Sequence, residues 1–113
     1  MKLCISGSRE FKKLQLVRRF VRMLHEDVHV IVGDARGVDE EVALWCNERG
    51  LRCDVYKADW DKLGHQAGPI RNTHMVDAAD VVVAFWDGKS RGTENALKKA
   101  QVQGKLMAIF SDD

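Results

Sequence analysis

The chain has 113 residues, of which 45% are hydrophobic and 31% charged, with a formal net charge of +1. That length holds one domain around one core without staples, and the composition is that of an ordinary globular chain. The near-zero charge excludes a polycation or an acidic tail, so any attraction for a phosphate has to be local.

The first strand, Lys2–Ser6, begins at once, leaving no room for a signal peptide, and the cytoplasm is the expected compartment. No apolar run approaches the roughly 20 residues a membrane span requires, so no membrane partner is expected. The first helix shows Val17, Phe20, Val21 and Leu24 at i, i+3, i+4 and i+7, with Lys12, Lys13, Arg18, Arg19 and Arg22 on its other face. A strand over Val28–Val32 leads to a second helix marked by Val38, Val42, Trp45 and Arg49, with Gly50 at its stop. A third strand covers Arg52–Lys57. The third helix carries the single proline, Pro69, in its first turn, where a missing N–H costs least. Strand four is Val81–Phe85, helix four runs from about Thr93 to Gln103, and strand five is Leu106–Phe110.

Cys4, Cys46 and Cys53 lack CxxC spacing and read as small apolar side chains in a reducing compartment. His25, His29, His65 and His74 lack the close pairing of a zinc site, so neither metal nor cofactor is expected. Alternating strands and helices, with apolar runs such as Val81-Val82-Val83-Ala84-Phe85, predict an α/β fold. The expectation is one domain over residues 1–113. It is a Rossmann-like three-layer α/β/α arrangement with a five-stranded, mostly parallel sheet of order 3-2-1-4-5. In such sheets ligands bind at the carboxyl ends of the strands where the order reverses, here between strands one and four.

Three short polar loops stand at those ends: Gly7-Ser8-Arg9-Glu10, Gly33-Asp34-Ala35-Arg36-Gly37 and Asp87-Gly88-Lys89-Ser90-Arg91-Gly92-Thr93. Glycine lets a backbone turn tightly and approach a ligand closely, and a helix N-terminus favours an anion. Arg9, Arg36 and Arg91 fall in these loops, and Arg71 is placed in the first turn of the third helix. A cation there is unfavourable by a few tenths to about 1 kcal/mol unless an anion reverses the sign. Ser8, Ser90 and Thr93 suit phosphate oxygens or helix caps. Asp39 suits a ribose hydroxyl, a pairing with Arg36, or the helix dipole, and Asn72 beside Arg71 is equally open. Glu94 fits a general base, a ribose ligand or a first-turn acid. Trp60 and Trp86 suit base stacking or packing.

Gly7-Ser8-Arg9-Glu10-Phe11, Gly33 to Asp39, Ala58-Asp59-Trp60, Ala67-Gly68-Pro69-Ile70-Arg71-Asn72 with Met75, and Gly88 to Thr93 occur in this order. Together they resemble the YspA-type (cpYpsA-related) branch of the SLOG superfamily, small Rossmann-like domains frequent in bacteria and phages. That superfamily includes the Lonely Guy phosphoribohydrolases and the DNA-processing protein A. The resemblance implies a domain for a nucleotide or nucleotide-derived molecule, and superfamily kinship implies a homodimer. In the Lonely Guy enzymes the later motif reads Gly-Gly-x-Gly-Thr-x-x-Glu. Here Ala96 holds that Glu position, and Glu94 lies two residues early, about 200° around a helix. The arginine matching those enzymes' essential one is Arg71. Asp34 stands where the superfamily often has a second glycine.

Three functions follow. The leading one binds a nucleotide or nucleotide-derived phosphate around Ser8, Arg9, Arg71 and Gly88–Thr93, as a sensor or processing domain. The second cleaves the N-glycosidic bond of a nucleoside 5′-monophosphate, with Arg71 clamping phosphate and Glu94 holding a hydroxyl or activating water. The third is a nucleic-acid-binding module using the basic face of helix one.

Overall fold

The computed structural model describes residues 1–113, in the order β1 (Lys2–Gly7), α1 (Leu14–Met23), β2 (His29–Gly33), α2 (Val38–Arg49), β3 (Cys53–Tyr56), α3 (Trp60–Leu63), α4 (Ala67–Ala78), β4 (Val81–Trp86), α5 (Arg91–Val102) and β5 (Leu106–Ser111). The strands form one sheet of order β3-β2-β1-β4-β5, and every neighbouring pair is parallel. The predicted sheet order is the observed one.

Alternation along each strand divides the core into two layers. Leu3, Ile5, Val30, Val32, Val83 and Phe85 point to one side and pack under α1 and α2. Cys4, Ile31 and Val82 point to the other and pack under Met75 and Val76 of α4 and Ala100 of α5. Phe85 anchors the first layer, with the rings of Phe11, Phe20 and Phe110 within 5.7 Å of its own. These four rings hold the ends of β4 and β5 against α1 and the loop after β1.

Several expectations need correction. The sequence pattern shows neither α3 nor the 3₁₀ turn Gly64–Gln66 that joins it to α4; with four residues, α3 is too short for a hydrophobic period to register. Helix α1 starts at Leu14, so Lys12 and Lys13 precede it rather than extending its basic face. Arg71 is the fifth residue of α4, one turn beyond the helix end, and so escapes the dipole's positive pole. Strand β5 reads as a continuous apolar run, yet Met107 and Ile109 are exposed, because it is an edge strand with a register shift opposite Val82 and Val83.

Two glycines bring the loops of the two halves together. A β-carbon on Gly7, at the end of β1, would overlap the side chain of Val38, the first residue of α2. Gly37 has φ +77°, and its backbone packs on the Arg9 carbonyl, where a β-carbon has no room. Gly7→Ala is therefore expected to destabilise the fold by about 1–3 kcal/mol. Combined with Val38→Ala, the loss should be smaller than the two single losses added together, as urea denaturation of the four proteins would measure.

Candidate functional site

The carboxyl ends of β1 and β4 open into a hollow of about 1100 Å³, lined mostly by polar and charged residues. Arg9, Arg36, Arg71 and Arg91 reach it from four different segments of the chain. Gly7, Asp39, Asn72, Ser90, Gly92 and Thr93 also line it. Ser8, Gly33, Gly37 and Gly88 are not part of the lining. Glu94 is not part of the lining, and its carboxylate lies 3.6 Å from Lys98 on the same helix.

Arg71 and Asp39 form the floor. The Arg71 side chain is only 12% exposed, and its Nη1 donates to Asp34 Oδ1 at 2.8 Å and to the Tyr56 carbonyl at 3.4 Å. Its Nε donates to Asn72 Oδ1 at 3.0 Å, while Asn72 Nδ2 donates onward to the Gly92 carbonyl and to Asn95. One chain of hydrogen bonds thus crosses from the β2 loop through α4 to the start of α5. Gly33 makes the crossing possible: a β-carbon there would stand 2.7 Å from Arg71 Nη1 and 2.7 Å from Asp39 Oδ2.

Asp39 is 5% exposed, and its Oδ2 accepts the Ala35 N–H at 3.1 Å. Burial pushes its carboxyl up to about 7. The Ala35 N–H, Arg71 and Arg9 pull it down, and Asp34 pushes it further up. The floor therefore combines one cation, one paired carboxylate and one carboxyl poised near neutrality. It carries little net positive charge.

The α5 end is built differently. Ser90 caps the helix, its Oγ accepting the Thr93 N–H at 3.4 Å. Asp87 Oδ1 takes the N–H groups of Lys89 and Ser90 at 2.9 and 2.8 Å, and the Trp86 indole donates to the Ser90 carbonyl at 3.0 Å. Buried Ser8 accepts the Asp87 N–H and meets Thr93 Oγ1 at 3.3 Å, tying this loop to β1. The N–H groups of Arg91 and Gly92 have no partner, and a β-carbon on Gly92 would meet only open space. Arg91, Lys89 and Arg9 pair with no carboxylate, whereas Arg36 is held by Glu10 at 2.8 Å and Arg71 by Asp34.

Residues beyond the three predicted loops join the lining, among them Lys12, Trp60, His65, Asp112 and Asp113. Asp112 is buried and accepts the Lys12 N–H at 2.8 Å. A signal for it was available, since anything directly after β5 stands at the same edge of a parallel sheet. Trp60 is 47% exposed and its ring covers Gly68 at the start of α4. Trp86 faces the loop it braces.

Residues 1–63 match the YspA, cpYpsA-related SLOG family. The chain is also 34% identical to the Gene 61 protein of Mycobacterium phage D29, over 98% of its own length and 97% of that protein's. The chain belongs to the YspA, cpYpsA-related SLOG family. No solved structure matches it. Membership suggests a nucleotide-related role in ligand binding or processing, and no helix of this SLOG chain is long and apolar enough to cross a membrane.

The buried carboxyl has a measurable consequence. Because the folded-state value of Asp39 is raised above its ordinary 3.8 to about 7, its burial is harmless below pH 4 and increasingly unfavourable as pH rises to about 7. Asp39→Asn preserves the acceptor for Ala35 and removes the ionisation. It is expected to stabilise the fold at pH 8, on the order of a few kcal/mol, and to have little effect at pH 4. Paired urea titrations at the two pH values would measure the difference.

Proposed function

We propose that the protein binds a nucleotide or a nucleotide-derived ligand, with its phosphate at the N-terminus of α5. The observation that carries this reading is the sorting of the arginines. Arg36 and Arg71 already have carboxylate partners, while Arg9 and Arg91 stand in the same hollow without them. Arg91 is the first residue of α5, where the dipole disfavours a cation. A phosphate beside it would accept the free N–H groups of Arg91 and Gly92, and Arg91 and Lys89 would add charge-assisted hydrogen bonds. The Ser90 and Thr93 hydroxyls border the same position. Asp87 keeps its negative charge, its Oδ1 held by the loop's own N–H groups, and the unpaired Arg91 and Lys89 have to outweigh it.

This arrangement moves the phosphate away from Arg71, whose charge is spent on Asp34. It also needs no catalytic carboxylate at Glu94, which lies outside the lining. Binding is accordingly the reading retained. Family membership supports the nucleotide class.

Arg91→Ala separates a binding role from a structural one. Arg91 is exposed and unpaired, so its loss should leave stability within about 0.5 kcal/mol, or improve it slightly by relieving the dipole. Loss of a charge-assisted hydrogen bond should weaken a phosphate ligand by roughly tenfold or more. Thermal shift against nucleoside monophosphates, followed by calorimetric titration of parent and variant, provides the test. Equal affinity in the two proteins, or no stabilisation by any phosphate compound, would refute the proposal.

A further inference from the structure

Within the hollow, the floor offers an unused donor beside an unused acceptor. Asp39 Oδ2 is taken by Ala35, but its Oδ1 accepts nothing. Arg71 uses Nε and Nη1, and its Nη2 donates to nothing. Neither free atom is sealed in the interior, since no buried side-chain oxygen or nitrogen lacks a partner, and both residues line the hollow. Both side chains lie over Gly33, each 2.7 Å from the place a β-carbon would take. A nearly buried carboxyl that lines the hollow and keeps one oxygen without a partner is a polar contact a ligand group can complete.

The chemistry of that group follows from the charge. Asp34 already neutralises Arg71, and Asp39 adds negative charge as it ionises, so the floor does not suit a phosphate. It suits a neutral group that can donate to Asp39 and accept from Arg71. A hydroxyl does both, and two neighbouring hydroxyls satisfy both atoms at once. We infer that Asp39 and Arg71 form a sugar subsite, which reads the vicinal 2′- and 3′-hydroxyls of a ribose whose phosphate lies at the α5 end. This rests on the phosphate reading above and assigns the ligand as a ribonucleotide or ribose phosphate rather than its deoxy counterpart. Asp39 is then the specificity-determining residue and Arg71 its fixed partner.

The preference should depend on pH. Asp39 is faced by Arg71 from α4, Asp34 from the loop after β2, Arg9 from the loop after β1 and the Cys4 thiol from β1. Cys4 is pushed up to about 12 by burial, so it stays neutral across the useful range. A hydroxyl donates best to the ionised carboxylate, so preference for the ribose compound should grow from pH 6 to pH 8. The ligand phosphate also titrates near pH 6, but equally in both sugars, and the ratio of their affinities removes it.

The experiment is calorimetric titration of the parent and of Asp39→Asn with inorganic phosphate, ribose 5-phosphate and 2-deoxyribose 5-phosphate at both pH values. Ribose 5-phosphate is expected to bind roughly tenfold tighter than the deoxy sugar at pH 8. Asp39→Asn should abolish that preference while leaving affinity for inorganic phosphate, which has no hydroxyl for the floor, unchanged. Equal binding of the two sugars by the parent, or a preference that survives in the variant, would overturn the sugar subsite while the phosphate site stands. Failure of all three probes to bind would overturn the phosphate reading and this one with it.

Discussion

The hollow depends on the passage of the Arg71 guanidinium over Gly33 to Asp34. Arg71 belongs to α4, which covers one face of the sheet, and Asp34 begins the loop that feeds α2 on the other face. Their bond joins the two helical layers at the sheet's carboxyl edge, where no main-chain ladder reaches. Through Asn72 the same side chain is tied to Gly92 and Asn95 at the start of α5. Any side chain on Gly33 would break the crossing, so the residue is defined by what passes over it.

That crossing also divides the electrostatics of the site. An ion pair sheltered in this way is no gift to stability, because desolvation offsets much of the attraction. What it does is fix a planar donor in one orientation and consume its charge. The neighbouring carboxyl, Asp39, is left in a setting where the ionised form is disfavoured and a proton is held near neutrality. Meanwhile the start of α5 gathers unpaired cations, free N–H groups and hydroxyls. One hollow thereby presents two chemically distinct surfaces, a cationic end with free N–H groups and a nearly neutral hydrogen-bonding floor.

Arg9, Arg36, Arg71 and Arg91 could be singled out from sequence because arginines beside glycine-rich strand ends run against the helix dipole. All four line one hollow. Their division into paired and unpaired was not legible, since Glu10 and Asp34 become partners only through contacts 26 and 37 residues apart in the chain. Asp39 shows the same limit. Its place after Gly37 allowed a dipole role, a pairing with Arg36 or a hydroxyl contact; the structure shows it buried and accepting the Ala35 N–H, while Arg36 pairs with Glu10 instead. Glu94 looked available because it follows Gly92-Thr93, yet the helical turn carries it out of the lining toward Lys98.

Local pattern was sufficient for the alternation of strands and helices, a parallel sheet covered on both faces and the edge on which polar loops gather, and the order expected of a doubly wound sheet is the one observed. Hydrophobic period and the rules of parallel connection act over a few residues to a few tens, and a single chain displays them directly. Tertiary structure alone decided which cations remain free, which carboxyl is buried with an open oxygen, and that residues after β5 complete the rim. Those outcomes arise from desolvation and from contacts between distant segments, neither of which exists until the layers have closed around the sheet.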